Sequence, residues 1–202
     1  MIKIYHSRRA RSARVIWLLE ELGVPYELVA VEFKRESLKS PEYLRLHPLG
    51  LVPVVQDGDV TLFESGAIVE YLLEQYGQGR LAPAPGTKAR AEYFQWFHFG
   101  EATLARHMGD IVQNRFTKPE AERSPEMAAE ARGRLLASLA VIERALEGRA
   151  YILGEAFTAA DIMVAYGIIM TKIIGELPAD LPHVAGYLGR LKERPAYQPA
   201  WA

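Results

Sequence analysis

The segment Leu51-Val52-Pro53-Val54-Val55 constrains the fold of this chain more than any other stretch. It reads as a β-strand, yet proline has no N–H to give to a sheet ladder. It therefore belongs at an edge or at a special peptide bond. Shortly afterwards, in Phe63-Glu64-Ser65-Gly66-Ala67-Ile68, an acidic residue and a serine stand where a helix should begin. Together the two segments describe a place where a small peptide-like ligand is held by backbone groups, a helix terminus and one carboxylate.

The elements around them alternate in type. Ile2 to Tyr5 reads as a strand. Ser12 to Leu22 reads as a helix, with Val15, Leu18, Leu19 and Leu22 at helical spacing and Gly23 as a stop signal. Tyr26 to Val31 is a second strand, and Pro41 to Leu46 a short helix or turn. Val52 to Gln56 and Val60 to Phe63 flank the hairpin dipeptide Asp57-Gly58, and Ser65 to Tyr76 is a helix closed by Gly77. This order predicts an α/β domain over residues 1–78. Gly79, Pro83, Pro85 and Gly86 mark a linker over 79–87. From 88 to 202 the pattern predicts an all-helical domain. A long helix runs from Lys88 to Phe116 with a kink at Gly100 or Gly109. Pro125 to Leu146 carries the apolar stripe Leu135, Leu139, Ile142 and Leu146, Thr158 opens a third helix, and Leu181 to Arg194 holds a fourth. Thr158 and Asp161 make a variant of the capping box, a structural signal with no catalytic role.

Composition removes several function classes. Lysine plus arginine number 24 and aspartate plus glutamate 25, so the basic excess of a general nucleic-acid binder is missing. The chain has no cysteine, which excludes disulfides, thiolate metal sites and a cysteine nucleophile; any thiol chemistry must use a ligand's thiol. The N-terminus does not read as a signal peptide, and the apolar run from Ile162 to Ile169 is too short to cross a bilayer. A soluble cytoplasmic protein with no membrane partner is the expectation.

Four segments, in this order and spacing, resemble the cytosolic glutathione S-transferase family: Arg14-Val15-Ile16-Trp17-Leu18-Leu19-Glu20-Glu21-Leu22-Gly23, His47-Pro48-Leu49-Gly50-Leu51-Val52-Pro53, Glu64-Ser65-Gly66-Ala67-Ile68 and Phe157-Thr158-Ala159-Ala160-Asp161-Ile162. The resemblance spans essentially the whole chain. It implies an α/β thioredoxin-like N-terminal domain, an all-α C-terminal domain that contributes a second-substrate pocket, and a homodimer. It also implies glutathione as co-substrate, with no metal. Pro53 would follow a cis peptide bond, and the N–H and C=O of Val52 would pair with the cysteinyl part of glutathione. Glu64 would meet the γ-glutamyl ammonium group, and Ser65 with its helix N-terminus the carboxylate. The alternative is that Ser65 only caps its helix and Pro53 only ends a strand. Lys39 could meet the glycyl carboxylate, or be an ordinary exposed lysine. Leu51 stands where relatives often carry a polar residue, so recognition of the glycyl end is altered.

The group that activates the thiol is less plain. A thiol near its reference pKa of about 8.5 is only a few per cent thiolate at neutral pH, so a donor and positive potential are needed at the sulfur. The family uses a tyrosine, serine or cysteine near the end of the first strand or the start of the first helix. Here Arg9 and Ala10 occupy the positions where serine-type relatives carry their hydroxyl. Nearby stand Tyr5, Ser7 and Ser12. Tyr5 reads as a strand core residue. Ser12, at the expected N-terminus of the first helix, is favoured over Ser7, and either could be an ordinary cap or turn residue. A third route is stabilisation by Arg9 or a backbone N–H with no hydroxyl. Arg8, Arg9, Arg11 and Arg14 make either an electropositive mouth or a solvated surface, with Arg14 suited to a structural salt bridge.

The aromatic residues Tyr93, Phe94, Trp96, Phe97 and Phe99 crowd one helix and suggest a core, a subunit interface or the lining of a pocket. His98, Glu101 and His107 do not share a helix face, so a metal site is discarded. His6, His47 and His183 carry no signal. The expected activity is conjugation of glutathione to a small hydrophobic electrophile. The alternatives are a glutathione-dependent peroxidase or disulfide reductase, and a non-catalytic binding or regulatory protein that keeps the fold.

Overall fold

The computed structural model describes residues 1–202. The chain divides into two compact units, Met1–Leu81 together with Lys192–Ala202, and Ala82–Leu191. The division falls inside the linker predicted over 79–87. The C-terminal segment corrects the predicted boundaries: Lys192–Ala202 belongs with the first unit, not with the helical domain that precedes it in sequence.

The first unit is thioredoxin-like. Strands β1 (Ile2–His6), β2 (Tyr26–Ala30), β3 (Val54–Asp57) and β4 (Val60–Phe63) form a mixed sheet in the order β2-β1-β3-β4. β1 runs parallel to β2 and antiparallel to β3, with Ile4 opposite Leu28 on one side and Val55 on the other. β3 begins after Pro53, not at Val52, as a residue without an N–H predicts. Helix α1 (Ser12–Leu22) matches its predicted span, and buries Val15, Leu18, Leu19 and Leu22. Gly23 ends it in the left-handed conformation (φ 67°), where its N–H reaches the Glu20 and Leu19 carbonyls. α2 (Arg35–Leu38) and α3 (Pro41–Leu44) are single turns, and α4 (Ser65–Tyr76) has its predicted bounds. Gly77 stops α4 without a left-handed turn; its φ is −71°, and a side chain there would run into the Leu73 carbonyl. The last helix, α10 (Tyr197–Trp201), was not predicted. It lies on α1, where the Tyr197 ring meets Trp17 edge-on at 5.3 Å. Just before it, Arg194 grips both carboxylate oxygens of Glu21 (2.7 and 2.6 Å), and Glu21 also accepts from Trp17 Nε1 at 3.1 Å.

The second unit is all helical. The predicted long helix is interrupted as expected near Gly100 but not at Gly109. α5 (Lys88–His98) passes into a π-helical stretch over Phe99–Ala105, then α6 (Arg106–Val112) and a second π-helical stretch over Gln113–Thr117. The reason is close packing against α8 (Ala159–Ile173). A Cβ on Gly100 would lie 2.6 Å from the Met163 backbone, and one on Gly167 would lie 2.5 Å from Leu104. α7 (Pro125–Ala145) buries its predicted stripe of Leu135, Leu139 and Ile142, followed by Leu146. α9 (Pro182–Lys192) places Tyr187 in the core. The capping box at Thr158 and Asp161 is formed, and the buried Asp161 carboxylate also accepts from Ile152 N–H (2.8 Å) and Tyr187 O–H (2.9 Å). No helix is long and apolar enough to cross a membrane.

Candidate active site

The Val52–Pro53 peptide bond is cis. The ladder between β1 and β3 ends at Tyr5 opposite Val54, so the backbone N–H and C=O of Val52 lie outside the sheet. The β3–β4 register places Val54 opposite Phe63. Val52-Pro53 leads into β3 and Glu64-Ser65 follows directly on β4, so the two segments flank the same end of the β3–β4 hairpin.

Glu64 is exposed and has φ 71°, a left-handed conformation that costs a non-glycine residue about 1–3 kcal/mol. It sits at the N-cap of α4 without using its side chain as a cap. Ser65 is the first residue of α4 and is 3% exposed. Its Oγ accepts from Arg14 Nη1 at 3.0 Å. Arg14 is thus a buried strut beneath the start of α4, and the Ser65 hydroxyl keeps its hydrogen for an acceptor at the helix N-terminus.

His47, read from sequence as uninformative, supports this corner. It is buried, its ring lies 4.7 Å from that of Phe63, and its Nδ1 accepts from the Leu49 N–H at 3.2 Å. Burial pulls its pKa down, and the nearby Glu64 charge partly opposes that shift. Leu51 is exposed, and its carbonyl accepts from Tyr43 O–H at 2.7 Å. Lys39, also exposed, donates to the Leu49 carbonyl at 2.6 Å. Gly50 allows the turn between them (φ 54°), since a Cβ there would strike the Leu38 carbonyl.

The loop between β1 and α1 departs from expectation. Ser12 lies at the first position of α1, with Arg11 as N-cap, so it is not the cap itself. It is 0% exposed, and its Oγ is 2.7 Å from His6 Nδ1 and 3.4 Å from the Ser7 carbonyl. Ser7 is 4% exposed and donates to the Val31 carbonyl at 2.5 Å. Both hydroxyls proposed as thiol activators therefore point inward, because each satisfies a buried backbone or ring acceptor. Burial lowers the pKa of His6. Tyr5 donates to Gln56 Oε1 at 2.8 Å and is likewise engaged. Arg9 stands exposed in the loop at φ 62°. Ala10 packs against the cluster of Leu38, Tyr43, Val52 and Val54, which ties the loop to the part of the fold that holds Val52.

In the helical unit, Tyr93, Trp96 and Phe97 are core residues, as a dense aromatic run predicts. Phe94 is exposed on α5, with the Arg90 guanidinium 4.7 Å above its ring. No group of three or more His, Asp or Glu side chains comes together in a way that could hold a metal ion.

The glutathione S-transferase N-terminal domain model matches residues 1–74, and the C-terminal domain model matches 120–190. Glutathione S-transferase 3 of Schizosaccharomyces pombe is 34% identical over 184 residues, covering 85% of this chain and 75% of the relative. The glutathione transferase URE2P6 of Phanerochaete chrysosporium, solved in complex with oxidized glutathione, superposes with a TM-score of 0.88. It has 26% identity over 99% of this chain and 94% of its own. A glutathione transferase family member from Pseudomonas fluorescens, solved with two glutathione molecules bound, gives a TM-score of 0.86 and 29% identity over 99% of this chain and 92% of its own. The chain belongs to the glutathione S-transferase family.

Proposed function

We propose that this protein binds glutathione, holds it as the thiolate and transfers it to a small hydrophobic electrophile. The observation that carries this reading is the β3–β4 hairpin, at one end of which the Val52 backbone lies outside the sheet just before β3 and Glu64 and Ser65 follow directly on β4. Val52 N–H and C=O pair with the cysteinyl residue as an added strand would. The exposed Glu64 carboxylate takes the γ-glutamyl ammonium. Ser65 O–H and the first N–H groups of α4 take its carboxylate, where the helix dipole favours an anion. Leu51 and Lys39 bound the glycyl end. The Arg8–Arg11 loop beside Val52 supplies positive potential to the sulfur, with Arg9 as the exposed side chain. The thiolate then attacks an electrophilic carbon, the carbon–sulfur bond forms, and the leaving group departs with its electron pair. Positioning and thiolate stabilisation provide the rate.

A second reading has specific support. The relatives from Phanerochaete and Pseudomonas were solved with oxidized glutathione and with two glutathiones, respectively. In a glutathione-dependent disulfide reductase the bound thiolate attacks one sulfur of a disulfide, and the other sulfur leaves as a thiolate and takes up a proton. A second glutathione thiolate then attacks the glutathione sulfur of the mixed disulfide; the remaining substrate sulfur leaves as a thiolate and takes up a proton, giving oxidized glutathione and regenerating the site. The cysteine-free chain suits this scheme, since glutathione supplies every thiol.

Calorimetric titration with reduced glutathione at neutral pH tests the shared step. Binding by the parent and its loss in Glu64→Gln and in Glu64→Ala/Ser65→Ala are expected. No binding by the folded parent overturns both readings. Turnover of an aryl halide against turnover of a small disulfide then separates conjugation from reduction.

A further inference from the structure

Three polar side chains lie behind the loop that borders Val52. His6 ends β1, Ser7 opens the loop and Ser12 begins α1. Their hydrogen bonds form a closed chain. Ser7 Oγ donates to the Val31 carbonyl at 2.5 Å, just beyond β2, and Val31 N–H returns to the His6 carbonyl at 2.8 Å. The Ser7 carbonyl faces both Ala10 N–H (3.1 Å) and Ser12 Oγ (3.4 Å), and Ser12 Oγ meets His6 Nδ1 at 2.7 Å. The ends of two strands, the loop and the first turn of α1 are thus tied at one point.

A hydroxyl carries one hydrogen. That of Ser7 is committed to Val31, and that of Ser12 has only His6 Nδ1 and the Ser7 carbonyl within reach. A thiol activator must instead aim its hydrogen at the sulfur, within hydrogen-bond distance and from an accessible face. Both hydrogens are already taken up by groups within the protein. We propose that Ser7 and Ser12 are positioning residues of the glutathione site, held by His6 and acting through the loop Ser7–Arg11, and that neither hydroxyl activates the thiol. The proposal rests on the glutathione reading above. What the serines hold is the placement of Ala10 against the cluster that includes Val52 and, with it, of the positively charged loop. Activation then falls to the charge and backbone N–H groups of that loop.

The test uses the full chain with reduced glutathione as the probe, so no electrophile need be known. Affinity is read by calorimetry. The thiol midpoint of bound glutathione is read by ultraviolet thiolate absorbance across pH. Ser12→Ala, Ser7→Ala and His6→Leu are each expected to weaken glutathione binding about three- to tenfold, and any rise in the thiol midpoint is expected to be shared by all three, because each loosens the same loop. His6→Asn, whose amide can occupy the place of Nδ1, is expected to restore most of the affinity. Ser12→Ala/His6→Leu is expected to be no weaker than either single variant, because both break one link. A rise of about one pH unit or more in the thiol midpoint for Ser12→Ala or Ser7→Ala that His6→Leu, with both hydroxyls present, does not share overturns the proposal, since an activating donor has then been removed. Unchanged affinity in all three single variants, or additive weakening in the double variant, overturns it as well. If Ser12→Ala does not fold, Ser7→Ala and the His6→Leu/His6→Asn pair make the same comparison. Failure of the parent to bind glutathione overturns the glutathione reading itself, an outcome separate from any variant's midpoint.

Discussion

Replacing Asp161 by alanine tests the energetic account of the helical unit most directly. The carboxylate is wholly buried and accepts from Ile152 N–H, Thr158 N–H, Thr158 Oγ–H and Tyr187 O–H at 2.8–3.1 Å. Alanine strands these buried donors, and at about 1.5 kcal/mol each the four together lose about 6 kcal/mol. An opposing effect is also present. Burial raises the Asp161 pKa from 3.8 to about 6 despite the four hydrogen bonds. The folded state therefore holds the Asp161 proton more tightly than the unfolded state. Stability from this group is greatest below pH 3.8 and is lost as pH rises through 6, by about 3 kcal/mol in all. Removing the carboxylate relieves that penalty at neutral pH. Asp161→Ala is thus expected to cost about 3 kcal/mol at pH 7, a large share of a typical domain's stability. Urea unfolding followed by circular dichroism measures it. A cost below about 1 kcal/mol at pH 7 refutes the reasoning. Asp161→Asn isolates the charge: the stability of the parent relative to Asp161→Asn should fall by about 2 kcal/mol between pH 4 and pH 7. A parent that instead gains on the asparagine variant over that range shows that the hydrogen bonds outweigh the desolvation.

Three further outcomes are expected. Glu64→Gly relieves a left-handed backbone and should raise thermal stability by about 1 kcal/mol while weakening glutathione binding; simultaneous loss of both contradicts the assignment of strain to Glu64. For Glu21→Ala, Arg194→Ala and the double variant, unfolding should give a coupling energy of about 1–3 kcal/mol, because the pair is two-pronged and mostly buried; a coupling near zero places it among ordinary surface ion pairs. Gly100→Ala puts a methyl group against the Met163 backbone and should cost about 1–3 kcal/mol, whereas Gly109→Ala, with open space around its Cα, should be neutral or stabilising in the same melt.

Much of the local structure is legible in the sequence because local chemistry decides it. α1 and α4 have their predicted bounds, since the apolar spacing of the one and the Glu64-Ser65 start of the other act within a few residues. The Asp161 capping box is similarly local. What the sequence hides is set by tertiary approach. Ser12 reads as an open hydroxyl at a helix start, and only the position of His6 across the loop turns it inward. His47 carries no pattern of its own; its role comes from the Phe63 ring and the Leu49 N–H. Gly100 announces an irregularity in the long helix, but its π-helical form follows from the approach of α8. The gathering of Val52 and Glu64-Ser65 lies between: both segments are readable, and the β3–β4 hairpin brings them to one of its ends.

The return of Lys192–Ala202 to the first unit bears on how the protein is made. Residues 1–81 leave the ribosome before the helical unit, yet Arg194 and Tyr197, the partners of Glu21 and Trp17, leave after it. Until they emerge, α1 is uncovered on that side, and the thioredoxin-like unit is the one that waits. A truncation after Leu191 would therefore injure the N-terminal unit, which carries the proposed glutathione site, and spare the helical one.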